Sequence, residues 1–211
     1  MSREQRGHWL QTVTGRRFYV CDPQAEDIAI EDIAHALSML CRFGGHCRRF
    51  YSVGEHSVRV ARAIRQFGGS TLDVFGGLLH DASEAYLGDV VWPLKRAPEL
   101  DGYRHIEGAV EHALALKFGL PTKLPAIVKR FDLVLLATEK RDLMGEHDGV
   151  GRQVSVAREV EAAARQSHGG AGWHIDDVAP LEAPIVPWSS AYAEAEFLTE
   201  FARLASLGGR P

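Results

Sequence analysis

Apolar residues recur along most of this chain at the three- and four-residue steps of an α-helix. Ile30, Ile33, Leu37 and Leu40 fall on one face of a segment over 30–40, the spacing that gathers side chains on one side of a helical turn. A second helix is predicted over 55–67, with Val58, Ala61 and Ile64 inward and Arg59, Arg62 and Arg65 outward. A third, over 71–80, is nearly all apolar (Leu72, Val74, Phe75, Leu78, Leu79) and is predicted to be the central, most buried helix. Trp92-Pro93 marks a break. A fourth helix fits 103–118, stopped by Gly119 with Pro121 beyond. A fifth fits 124–144, where Ile127, Val128, Phe131, Val134, Leu135 and Leu136 form a broad apolar face with Asp132 inside it.

Outside these segments the pattern weakens. Phe18-Tyr19-Val20 suits a short extended piece ended by the Asp22-Pro23 turn signal, and 43–54 reads as a loop. Between 145 and 187 Gly, Ser and Pro are frequent, 154–165 is the clear helical piece, and 168–172 reads as a mobile loop. Pro180, Pro184 and Pro187 keep the chain irregular until a last helix over 189–207. Two-residue alternation is weak throughout. The expected architecture is therefore all-α, a bundle of roughly six to eight helices in one domain spanning 1–211, with its core at about 30–145.

Composition narrows the function classes. The chain has 211 residues, enough for a real core without staples, and its 45% hydrophobic and 25% charged residues are those of a globular protein. A formal net charge of −4 argues against a protein held mainly to nucleic-acid backbones, and polymeric nucleic acid is not an expected partner. Cys21, Cys41 and Cys47 are odd in number and irregularly spaced, which suits reduced thiols in a cytoplasmic protein better than a disulfide framework. The N-terminus lacks an apolar signal-like stretch, and no run is long and apolar enough for a membrane span.

The stretch GGLLHDASEAYLGD over 76–89 carries the candidate chemistry. An apolar helix runs straight into His80-Asp81, followed by Glu84 and Asp89. Burying an imidazole beside a carboxylate is costly unless something compensates. A divalent cation would do so, since neutral His and ionised Asp both ligate one. The alternative is a helix end bearing a few solvated polar residues.

His56 in EHS, His80-Asp81 in HDASE, Gly88-Asp89, and Asp132 further on follow the order H…HD…D. This arrangement resembles the HD-domain metal-dependent phosphohydrolases. The likeness is closer to the branch holding bacterial 5′-deoxynucleotidases and small phage-type deoxynucleoside triphosphate hydrolases, over roughly residues 30–145. The resemblance implies an HD-domain helical bundle in which His56, His80, Asp81 and Asp132 ligate one metal ion. Two imidazoles and two carboxylates neutralise a divalent ion and leave positions for water and a phosphate oxygen. That donor set suits Zn, Mn, Co, Ni or Fe, with Mg accompanying a triphosphate substrate. Adjacent helical residues project about 100° apart, so His80 and Asp81 share an ion only near a helix end. Asp142 competes with Asp132 for the last position, but in the run Glu139-Lys140-Arg141-Asp142 a solvated helix face explains it better.

Glu84 lies one turn beyond Asp81 and is the expected acid or base acting on the attacking water. The resemblance assigns Asp89 to positioning the nucleophile or the sugar 3′-hydroxyl, and Arg42 and Lys95 to phosphate. Phe43 or Trp92 could stack on a base, although core packing is the commoner fate of such residues. His46, Arg48 and Arg49 lie in the same loop as Phe43. The expected activity is release of phosphate from deoxynucleoside monophosphates. The alternatives are triphosphate release from deoxynucleoside triphosphates, a non-catalytic nucleotide- or metal-binding module, and a di-iron oxygenase using His105 and His112. The resemblance also implies a homo-oligomer.

Overall fold

The computed structural model describes residues 6–145, 175 and 177–208. Helices make the architecture: α1 (Ile30–Met39), α2 (Val53–Gln66), α3 (Thr71–Leu79), the single turns α4 (Glu84–Leu87) and α5 (Trp92–Lys95), α6 (Asp101–Phe118), α7 (Ala126–Leu143) and α8 (Ser190–Ser206). Among the described residues, β structure amounts to a two-stranded antiparallel ribbon of β1 (Leu10–Gln11) and β2 (Arg17–Phe18), with Leu10 opposite Phe18, and one isolated bridge between Cys41 and Ser52. The class is all-α. No described helix is long and apolar enough to cross a membrane. The expected helix over 154–165 and loop over 168–172 lie outside the described residues.

Local chemistry sets the helix ends. The Ser52 hydroxyl accepts the Glu55 amide at 3.0 Å and opens α2. Ser70 and Asp73 form a reciprocal capping box at the start of α3, satisfying two amides that the first turn leaves without partners. Gly119 ends α6 in the left-handed conformation at φ 66°.

The helix at the centre is α2, not α3 as its apolar composition suggested. It packs against α1, α3, α7 and α8, and Val53–Val58 together with Val60, Ala61, Ala63 and Ile64 are buried. α3 is buried from Val74 to Leu79 but leaves Leu72 in solvent. Two glycines allow the close approach. A Cβ on Gly77 would sit 2.6 Å from Ile64 Cδ1, and one on Gly54 would sit 2.7 Å from Ser38 Oγ. The first of these brings α3 onto α2 at Val60, Ala61 and Ile64.

Two further expectations change. Trp92-Pro93 does not merely break the chain; it opens α5, with proline in the first turn where its missing N–H costs nothing. The arginines on α2 do not face open solvent either. Arg62 pairs with Glu196 and Arg65 with Glu200, both on α8, while Arg59 pairs with Glu55 at 2.7 Å. Glu55 also accepts the Trp188 amide at 2.8 Å, and the Arg59 guanidinium lies over the Trp188 ring. These contacts dock the C-terminal helix on the bundle.

Candidate metal centre

Three helices converge on one point. α2 supplies His56 from its first turns, and α7 supplies Asp132. α3 ends at Leu79, so His80 caps it and Asp81 lies in the turn before α4. That helix end lets the two neighbours point at the same place despite their angular offset.

His56 Nε2 lies 3.3 Å from His80 Nε2, 3.7 Å from Asp81 Oδ2 and 3.4 Å from Asp132 Oδ1. His80 Nε2 lies 3.2 Å from Asp81 Oδ2 and 3.9 Å from Asp132 Oδ1. Ligand atoms bound about 2.0–2.2 Å from a shared ion stand roughly 3–3.6 Å apart. His56, His80 and Asp81 approach that spacing, and Asp132 reaches both imidazoles from the side of α7. Among the described residues, His56, His80 and Asp81 form the group whose ligand atoms all lie within 4.8 Å of one another and could hold a metal ion.

The outer nitrogens set the tautomers. His80 Nδ1 donates to the Gly77 carbonyl at 2.9 Å, and His56 Nδ1 donates to Glu139 at 2.5 Å. Each bond turns Nε2 inward, the nitrogen that a cation takes in place of a proton. His56 is fully buried. Burial and the Arg42 charge push its pKa down, but Glu139 and Asp132 outweigh them and carry it up to about 9. Burial alone would raise Asp81, yet His80, His56 and Arg42 hold it below the usual carboxylate range. Against the same burial penalty, the His56 hydrogen bond, Lys129 and His80 hold Asp132 well below that range. Lys129 meets the other oxygen of Asp132 at 2.8 Å.

Glu139 was not singled out in the sequence. It is fully buried, two turns along α7 from Asp132, and it joins His56 to Arg42, whose Nε lies 3.3 Å from its second oxygen. Arg42 in turn reaches Asp81 Oδ2 at 3.4 Å. The arginine expected to meet phosphate therefore sits at the cluster but spans two carboxylates. The spacing of seven residues from Asp132 was the available signal; its run of charged neighbours pointed to a solvated face instead.

Glu84 opens α4 and is 9% exposed. Burial, then the charges of Asp81 and Asp89, push its carboxyl up to about 9. Its Oε2 is among the buried oxygens without a hydrogen-bond partner. Asp89 accepts the Phe43 amide at 3.0 Å. It thereby holds the 3-10 turn Arg42–Gly45, in which Phe43 and Gly44 have φ of 57° and 58°.

The remaining candidates sit further out. Lys95 is taken up by Glu107 at 2.5 Å. Trp92 is 51% exposed, with the Arg96 guanidinium over its ring. Phe43 is half-buried under the Arg42 guanidinium. His46, Arg48 and Arg49 are exposed, and the Arg48 amide donates to the Leu143 carbonyl at 2.8 Å. His105 and His112 both lie on the exposed side of α6 and join no ligand group among the described residues. Asp142 is not solvated as its sequence context suggested. It is mostly buried, pairs with Arg141 and accepts the Ile185 amide at 2.8 Å. A cleft of about 380 Å³ lined by Arg16, Glu31, Lys117, Phe118 and Phe201 shares no residue with the cluster.

Fold and site together define an all-helical protein whose bundle assembles a possible metal-binding group from segments far apart in sequence. No family model matches the chain. It is 41% identical over 141 residues to the uncharacterized protein YfdR of Escherichia coli (strain K12), an alignment covering 67% of this chain and 75% of YfdR, and it belongs to the same family as that protein. It is also 41% identical over 128 residues to an uncharacterized protein of Rhodobacter capsulatus, covering 58% of this chain and 64% of that one.

Proposed function

We propose that this chain is an HD-domain metal-dependent phosphohydrolase that releases phosphate from deoxynucleoside 5′-monophosphates. The observation that carries the reading is the convergence of two Nε2 atoms and two carboxylate oxygens from three helices, at separations between 3.2 and 3.9 Å. His56, His80, Asp81 and Asp132 would hold the ion. When bound, a divalent ion polarises a phosphoryl oxygen and makes water a competent nucleophile near neutral pH.

The chain's own groups supply the rest. Glu139 and the Gly77 carbonyl keep both imidazoles turned inward. Glu84 is the proton-moving group: buried, one turn from Asp81, with a pKa near the working range rather than near that of a free carboxyl. Arg42 sets a permanent positive charge beside Asp81, and its planar fork suits a phosphate that competes with that carboxylate. Asp89 fixes the turn that carries Arg42. The two cations expected for phosphate, Arg42 and Lys95, already meet carboxylates, which favours the smaller charge of a monophosphate over that of a triphosphate.

The test is a screen of the purified protein, loaded in turn with Mn, Co, Ni, Zn or Fe, against deoxynucleoside mono- and triphosphates. Inorganic phosphate released from monophosphates, dependent on the added metal, is the expected outcome. Tripolyphosphate released from triphosphates would replace the monophosphate reading. Release of neither product by protein carrying about one ion per chain would overturn it.

A further inference from the structure

Cys41 and Cys47 take no part in the proposed chemistry, yet they bracket it. Their sulfurs are 3.5 Å apart, at the two ends of the turn that carries Arg42 and Phe43. The base of this turn is tied to the bundle. The Arg42 amide donates to the Tyr51 carbonyl at 2.9 Å, Cys41 bridges to Ser52, and the Arg48 amide donates to Leu143. Its tip is tied by the Phe43 amide to Asp89. The Cys47 thiol donates to the Arg42 carbonyl at 3.7 Å. A disulfide needs sulfurs about 2.05 Å apart, so side-chain rotation closes most of the remaining gap between two thiols already in contact.

We propose that Cys41 and Cys47 form a reversible disulfide that closes the turn around Arg42 and so tunes phosphate binding at the metal centre. The coupling to phosphate rests on the phosphohydrolase reading; formation of the bond does not. With hydrogen peroxide as oxidant, the Cys41 sulfur attacks a peroxide oxygen and the O–O bond breaks, the thiol proton leaving with the departing hydroxide, to give a sulfenic acid and water. The Cys47 sulfur then attacks the Cys41 sulfur, the S–O bond breaks and a second water leaves. Two thiols and one hydrogen peroxide thus give one disulfide and two waters. Burial and the neighbouring Cys41 thiol raise Cys47 to about 11, so little of it is thiolate near neutral pH and the resolving step quickens as pH rises. Closure removes the thiol proton that meets the Arg42 carbonyl and draws the ends of the turn together, moving the guanidinium relative to Asp81 and Glu139.

The experiment compares the reduced full-length protein with protein treated with stoichiometric hydrogen peroxide. Free thiols are expected to fall from three to one. Trypsin, cutting after Arg42 and Arg48, should leave the two cysteine peptides joined until a reductant is added. Metal content should stay constant while KM for a deoxynucleoside monophosphate rises severalfold at unchanged kcat, reversed by reductant and absent in Cys47→Ser. Three surviving thiols, or a link between two chains, would overturn the pair. The intramolecular bond with unchanged KM would overturn the coupling. If neither form releases phosphate, the thiol count and linked peptides still decide the bond, and the failure belongs to the phosphohydrolase reading.

Discussion

Helix α2 has two polar faces, and they are built on opposite principles. On one, each charge meets its opposite: Arg59 meets Glu55, Arg62 meets Glu196, and Arg65 meets Glu200. On the other, His56 turns its inner nitrogen toward another imidazole nitrogen and two carboxylate oxygens. The first face is complete within the chain. The second gathers lone pairs that only a proton or a cation can reconcile. Complementary charge marks the part that holds the molecule together, and accumulated donor atoms mark the part that could hold an ion.

Breaking the second face should have the largest effect. Asp81→Ala is expected to abolish bound divalent metal and phosphate release together, read by elemental analysis of the purified protein beside the assay. Wild-type metal content in that variant would erase the contrast between the faces. Glu84→Gln comes next: metal content should hold while kcat falls on the order of 10²–10⁴-fold, as for loss of an acid–base group. An unchanged kcat would remove Glu84 from the chemistry.

The pH response sharpens the comparison. His56 keeps its proton up to about pH 9 in the metal-free protein. A raised pKa means that this proton is present at neutral pH and competes with the cation. Metal affinity should therefore increase with pH, about tenfold per unit for one displaced proton, and level off above the pKa. Calorimetry in two buffers of different ionisation enthalpy would count the proton, and a pH-independent affinity would show that none is displaced. The smallest effect belongs to the first face. Arg62→Ala should cost roughly 0.2–1 kcal/mol of stability, the range for partly exposed ion pairs, and leave metal content and turnover unchanged. Denaturant unfolding measures the first, and any loss of metal would show that the two faces are not independent.

The helices were legible because their apolar period and their caps are local signals. Gly119 after Phe118 was read as a stop within one turn of chain, while the Ser70–Asp73 box, equally local, came to light with the structure. His80-Asp81 was legible as a candidate because an imidazole and a carboxylate at the end of an apolar helix demand a partner, whereas the approach of His56 and Asp132 to them was implied by the resemblance in motif order. Contacts between distant segments were not. Arg62 and Arg65 looked solvated because their partners lie more than 130 residues away on α8. Glu139 was hidden by its charged neighbours, of which Arg141 does face water, and only the heptad step from Asp132 on one helix face set it apart. Lys95 looked like a free cation because Glu107 lies on the next long helix.

Gly77 gives this arrangement a mechanical consequence. Its bare α-carbon lets α3 rest on Ile64 and Ala61 of α2, and its carbonyl orients His80 three residues later. One residue therefore serves both the packing of α3 on α2 and the orientation of His80. A methyl group there would meet Ile64 Cδ1 at 2.6 Å and Val60 Cγ1 at 3.3 Å, so a change made for packing presses on the helix that also carries His56.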